Sequence, residues 1–212
     1  MANKQHLDQL NLGIDAWNQW RLDCPDIIPD LSGADLSNLN LNRANLLLAN
    51  LTNARLINTM LKGAFLSGAL LRGSNCEQAN LHRAHLLGAQ LQGTNLREAN
   101  LSRAILNGAS LEIAKLEQAD LGSAKLMLAN LSHARLHQAK LNHAKLIRTN
   151  LTGANLSGAS LCGADLHNAT LDDAILRDTI MPDGQISNQV YFNMASFCSG
   201  ISAPILWEPA TA

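Results

Sequence analysis

A leucine stands at every fifth position of this chain from Leu31 to Leu176, broken once by Cys76, and Met181 takes the next slot. Two residues before each of these comes a small residue, Ala34, Ala44, Ala49 and so on to Ala174, with Leu39, Thr59, Ser74, Thr94, Thr149 and Thr179 as the exceptions. A period of five suits neither regular element. On a helix, every fifth residue advances by ~500°, so the leucines would spiral round all sides instead of forming a stripe. On a flat strand, successive leucines would point to opposite faces. The pattern is satisfied when each five-residue unit makes one side of a polygon, with its central Leu and its small residue both pointing inward. Four sides close a coil of about 20 residues, and where four walls converge a ring of Leu must alternate with a ring of small residues to pack densely. About 31 units at an inter-strand spacing of ~4.8 Å predict ~7.75 coils and a rod of roughly 37 Å.

The bends have their own signal. Ten glycines, from Gly33 to Gly163, fall two residues after a central position. That slot is the second residue of a turn, where a type II bend requires positive φ. Arg43, Gln78, Arg83 and Glu98 hold the same slot elsewhere. Those corners are expected to use a different turn type or to carry strain.

The units Ala34-Asp35-Leu36-Ser37-Asn38, Ala44-Asn45-Leu46-Leu47-Leu48, Ala99-Asn100-Leu101-Ser102-Arg103 and Ala154-Asn155-Leu156-Ser157-Gly158 resemble the pentapeptide-repeat family, whose pattern is A(D/N)LXX. The resemblance runs without interruption from Leu31 to Ile180. It implies an all-β solenoid, a right-handed quadrilateral β-helix, and so supplies the handedness that spacing leaves open. The segment Ala16-Trp17-Asn18-Gln19-Trp20-Arg21, followed by Pro29-Asp30-Leu31-Ser32-Gly33-Ala34, is similar to the leader of bacterial, often cyanobacterial, members.

The chain divides into an N-terminal capping helix and entry segment (1–30), the repeat column (31–181) and a C-terminal cap or tail (182–212). An open coil exposes unpaired backbone at each end and invites edge-to-edge association. In the first flank Leu7, Leu10, Ile14 and Trp17 recur at helical spacing, which predicts one helix over about residues 8–20 with Asp8 as N-cap. Leu10, Ile14, Trp17 and Trp20 are its expected contacts with the first coil. In the other flank Met181-Pro182-Asp183-Gly184 breaks the period with turn chemistry. The apolar tail beyond it, with Tyr191, Phe192, Phe197 and Trp207, is expected to fold back over the last coil.

Aromatic residues make up 3% of a chain that is 47% hydrophobic, as a core of identical Leu and Ala rings requires. Such a lumen is full and leaves no room for a ligand pocket. The four cysteines at 24, 76, 162 and 198 lack metal-ligand spacing. Cys76 reads as a core residue and Cys162 as a surface thiol. No apolar run suggests a signal peptide or a membrane span, so the expected location is the cytoplasm.

Function must therefore lie on the outside. Sorting outward positions by their place in the coil gives four walls, three of them mostly polar. The fourth, built on Leu46, Leu66, Leu86, Leu106, Leu126 and Leu146, carries Leu47, Leu48, Phe65, Leu87, Ile105, Met127, Leu128 and Ile147. A contiguous apolar strip marks a contact surface, either a homodimer seam or the docking site of a protein partner. The neighbouring wall carries a basic stripe of Arg43, Lys62, Arg83, Arg103 and Lys140, with Lys125 and Lys145 around the corner. These residues are spread along the rod with no aromatic platform beside them, so nucleic acid is not the expected partner.

Some members of the family mimic B-form DNA, bind DNA gyrase or topoisomerase IV, and protect it from poisons. Mimicry of phosphates needs a strongly negative rod. Residues 31–180 hold 14 Lys or Arg against 10 Asp or Glu, a balance of +4. The resemblance thus offers a topoisomerase-directed binder as the alternative to a rigid scaffold or protein-binding module. The histidines His82 and His85, or His133 and His137, are near enough in sequence to share a corner, but no third ligand stands at matching height. With no nucleophile elbow, phosphate loop or carboxylate pair either, the chain reads as a non-enzyme without cofactor or metal.

Overall fold

The computed structural model describes residues 1–187 of the 212. From Asp30 to Ile180 the chain winds as a β-helical solenoid in which each residue immediately before a central position pairs in parallel with the residue twenty further on, from Asp30↔Asn50 to Ser160↔Ile180. The ladder is uninterrupted.

One unit shows why the period holds. The Phe65 N–H donates down to the Ala44 carbonyl at 3.0 Å, while those of Leu66 and Gly68 donate up to His85 at 2.7 Å and Leu87 at 2.8 Å. The corner closes on itself, with the Ala69 N–H donating to the Leu66 carbonyl at 3.0 Å. Each side is therefore three extended residues followed by a two-residue bend. The extended part obeys the alternation of a strand, which puts Ala64 and Leu66 inside and Phe65 outside. From Leu46 to Leu161 every central residue is fully buried, Cys76 included. In the small slot Thr59, Thr94, Thr149 and Thr179 are buried too, each hydroxyl donating to a leucine carbonyl in the preceding coil at 2.6–2.9 Å. Leu39, the one large residue in that slot, lies in the first coil and is 37% exposed.

Of the two alternatives for the non-glycine corners, the structure takes the second, a strained backbone in the same turn. Arg43, Gln78, Arg83 and Glu98 adopt φ of 58°, 57°, 56° and 56°, the same left-handed region that Gly33 and Gly163 occupy at 67° and 65°. Only the second corner residue is positive, the type II arrangement, and no separate turn type is used. The sequence sets the corner by period, and the side chain at that slot has to comply.

The pattern's preference for Asn or Asp before the central residue has a local cause. At the bend the next residue's N–H points outward, away from both neighbouring coils. The side chains of Asn45, Asn75, Asn100 and Asn155 accept it at 3.0–3.3 Å.

The N-terminal flank forms two helices, not one: α1 (Lys4–Asn11) and α2 (Ile14–Asp23). Asn3, not Asp8, is the N-cap of α1, its side chain accepting from the Gln5 and His6 N–H groups. The chain breaks at Gly13, with φ 100°. The break lets each helix meet a different wall. On one, the Asn3 N–H donates to the Asp30 carbonyl at 3.0 Å and the Asp30 N–H donates to His6 Nδ1 at 2.9 Å. On the other, Trp17 Nε1 donates to the Asn45 carbonyl at 2.9 Å, and the Asn45 N–H donates to Asn18 Oδ1 at 2.7 Å. Arg21 reaches the carbonyls of Ile27 and Leu47. Apart from the Ile27 carbonyl, these coil groups are the ones a preceding coil would otherwise have paired. Leu10 and Trp17 are buried against the first coil, with Ile14 and Trp20 packed at its edge. At the far end β1 (Thr179–Ile180) pairs antiparallel with β2 (Ile186–Ser187). Tyr191, Phe192, Cys198, Phe197 and Trp207 lie outside the described residues.

Candidate protein-contact surface

The solenoid assigns the eight apolar candidates to one wall by register alone. Phe65 and Ile105 stand in the extended row, separated by His85, whose ring lies 5.1 Å from that of Phe65. Leu47, Leu87, Met127 and Ile147 take the first corner position, and Leu48 and Leu128 the second. Six are exposed, from Met127 at 38% to Leu128 at 63%. Ile105 and Ile147 are only half-exposed. Along the second corner row, Gly68, Gly88 and Gly108 lie between Leu48 and Leu128. The Leu48 side chain leans over Gly68, while the space above Gly88 and Gly108 is open.

The wall departs from the Asn/Asp preference where it is most apolar. Phe65 and Ile105 replace the side chain that would accept the corner N–H. In the corner after Lys125, which also lacks the acceptor, a neighbour compensates: the Met127 N–H donates to Asn107 Oδ1 in the coil below at 3.1 Å.

All seven basic candidates are exposed. Lys145 pairs with Asp165 at 3.5 Å; the other six make no ion pair among the described residues. The stem of Arg43 packs beside Gly63. Burial and then the charges of Arg83, Lys62 and Arg103 push the His82 imidazole below its ordinary value, against the pull of Asp120. Those three cations therefore share one neighbourhood, at the corner where the basic wall turns into the apolar one. On the wall built on Leu56 the charges instead neutralise each other: Arg97 and Arg135 both reach Glu117, at 3.1 and 2.7 Å, and Arg55 reaches Asp35 at 3.4 Å.

The histidine pairs do not assemble. His82 Nδ1 lies 2.8 Å from the Ser102 hydroxyl, and the His85 ring packs tilted against that of Phe65. His133 covers the corner at Gly153, and His143 that at Gly163. Among the described residues no group of three or more His, Cys, Asp or Glu could hold a metal ion. Cys162 is exposed and free, and Cys76 is buried with its thiol pushed up to about 12 by burial. No helix among the described residues is long and apolar enough to cross a membrane.

The family described as pentapeptide repeats matches in eight copies between residues 30 and 178. The chain is a pentapeptide-repeat protein. Pentapeptide-repeat proteins are typically non-enzymatic. Similar solved structures include HetL, a pentapeptide-repeat protein involved in heterocyst differentiation regulation from the cyanobacterium Nostoc sp. strain PCC 7120. It is 36% identical over 74% of this chain and 91% of its own, with a TM-score of 0.32. Rfr23 from the cyanobacterium Cyanothece 51142 is 26% identical over 77% and 97%, with a TM-score of 0.25. QnrB1, a plasmid-mediated fluoroquinolone resistance protein, is 20% identical over 75% and 86%, with a TM-score of 0.45. No curated protein matches the chain.

Proposed function

We propose that this pentapeptide-repeat protein is a rigid, non-enzymatic binding module whose apolar wall is the docking surface for a protein. In this reading residues 31–181 form a right-handed quadrilateral column of about 7.75 coils. Residues 1–30 close one end and residues 182–212 the other, and the location is cytoplasmic. The observation that carries the reading is the gathering of Leu47, Leu48, Phe65, Leu87, Met127 and Leu128 on one of four walls, all six exposed. The other walls of the column expose large apolar side chains only singly, such as Met60 and Ile113. Register, not composition, gathers them. The test compares wild type with Phe65→Asp plus Met127→Asp in light scattering and in pull-down. Loss of the bound protein, or of dimer mass, with an unchanged circular dichroism spectrum supports the wall. Unchanged mass and unchanged partners remove it.

The second reading takes DNA gyrase or topoisomerase IV as the bound protein. The family brings it forward, and fluoroquinolone resistance is the role carried by QnrB1. The fold alone is common ground at that identity. The rod's balance of +4, from 14 basic and 10 acidic residues over 31–180, opposes mimicry of a phosphate backbone. A gyrase supercoiling assay at stoichiometric protein, with and without a fluoroquinolone, separates the two: inhibition or protection selects the topoisomerase, and no effect leaves the wall to another partner.

A further inference from the structure

The apolar wall is bordered differently on its two long edges. One edge is the corner that carries Lys62, Arg83 and Arg103, all exposed or at the surface and without ion-pair partners among the described residues. The opposite edge is the row Gln90, Ser110 and Asn130, which is uncharged. Between them the surface dips at Gly88 and Gly108, with Leu48 and Leu128 standing at the two ends and Leu87 projecting from the middle. Leu48 and Leu128 are four coils apart, about 19 Å at the inter-strand spacing.

The backbone restricts what can lie there. The N–H and C=O groups of the ladder on this wall are all bonded up and down the column, as Phe65, Leu66, His85 and Leu86 show. An extended segment laid along the wall would find only isolated outward N–H groups at corners such as Ser67 and Asn107, not a strand edge, and would bury most of its own peptide groups unsatisfied. A helix satisfies its backbone internally and offers a side-chain stripe of matching width. About 13 helical residues span 19 Å at 1.5 Å per residue.

We infer that the occupant of this wall is an amphipathic α-helix of a partner protein, about three and a half turns long, whose apolar stripe is bordered by Asp or Glu along one edge. Its large side chains fill the dip at Gly88 and Gly108 beside Leu87, and its acidic edge faces Lys62, Arg83 and Arg103. The charge on a single edge fixes which way the helix runs along the column. The inference rests on the reading of the wall as a docking surface and names the partner's chemistry.

The probes are two hydrocarbon-stapled helices of about 14 residues with one shared Leu/Phe stripe, one edged with Glu and one with Lys, together with vesicles of phosphatidylglycerol and phosphatidylcholine. Fluorescence anisotropy is read on the full chain, on Leu87→Asp and on Arg83→Glu plus Arg103→Glu; all substitutions are at outward positions, and thermal melts check folding. The Glu helix is expected to bind wild type and to lose about tenfold or more in affinity on either variant. The Lys helix is expected to prefer the charge-reversed variant to wild type. Equal binding of both helices, or none, overturns the inference. So does sedimentation of wild type with the anionic vesicles, or a two-chain mass that Leu87→Asp abolishes. If the helices fail while Phe65→Asp plus Met127→Asp still removes the bound protein from a pull-down, only the helical partner is wrong. If the pull-down is also unchanged, the docking wall itself falls.

Discussion

Ile113 stands at φ 52°, with a β-branched side chain in a backbone region that such residues avoid. The column tolerates it because the bonds above and below fix the corner whatever residue occupies it. The Ile113 N–H donates to the Ser132 carbonyl and the Ala114 N–H to that of Leu111, both at 3.0 Å. Ile113→Asn, which keeps a side chain but tolerates left-handed φ, is expected to raise stability by about 1 kcal/mol, read as an increased urea midpoint with unchanged slope. Glycine corners give the converse. A Cβ at Gly108 meets open space, so Gly108→Ala costs only the conformational penalty, about 1 kcal/mol. At Gly153 the same Cβ would come within 2.5 Å of His133 Nδ1, so Gly153→Ala costs more unless that ring swings away. Cys76 adds a pH dependence. Burial raises its thiol from 9.0 to about 12, so the folded state holds a proton that the unfolded chain gives up. Its contribution is level below about pH 9 and then falls by about 1.4 kcal/mol per unit as pH rises toward the folded value. Denaturation midpoints between pH 8 and 10.5 should drop in wild type more than in Cys76→Ala.

At the scale of the element, the five-residue side and the helical flank were unequally legible. The ladder could be read because Leu31 to Leu176 repeat a single local rule, and any other register would expose the leucines. The corner geometry could not be read at Arg43 or Glu98, since the demand on φ comes from the coils above and below and not from the residue itself. The helices were hidden for a similar reason. Leu7, Leu10, Ile14 and Trp17 have the spacing of one helix, yet the two points to be met, Asp30 and Asn45, lie on different walls; Gly13 was the available signal. The Trp17, Asn18 and Arg21 bonds to the first coil were not foreseeable from spacing. Asn18→Ala leaves the Asn45 N–H without its acceptor and is expected to cost about 1–3 kcal/mol, measured as a lower midpoint. The apolar wall shows the opposite balance. Ile105→Asn would restore an acceptor for the corner N–H and is expected to stabilise the column by about 1 kcal/mol while weakening the capture of a partner. A lower midpoint with unchanged capture would mean that Ile105 stands there for stability alone.

For the whole molecule, the four walls are equivalent inside and distinct outside. Any side can follow any other without disturbing the Leu and Ala rings, so the lumen carries no information about which wall faces a partner. That information resides in the register modulo twenty residues, from Asp30↔Asn50 to Ser160↔Ile180, and it was available from the sequence once the period was known. The exposure of each wall residue and the pairing of charges on the Leu56 wall required coordinates. Two insertions separate fold from surface. Duplicating residues 91–110 adds one whole coil and leaves every later residue on its own wall; both stability and partner capture are expected to persist. Duplicating residues 104–108 adds one side, so everything beyond turns by a quarter of the coil. Phe65 and Leu87 then sit on a different wall from Met127, Leu128 and Ile147, while the ladder and its hydrogen bonds continue. Circular dichroism and the urea midpoint should stay near those of wild type as partner capture is lost. If the quarter-turn variant binds as well as the full-coil variant, the outward strip is not read as a unit, and binding must lie within one half of the column.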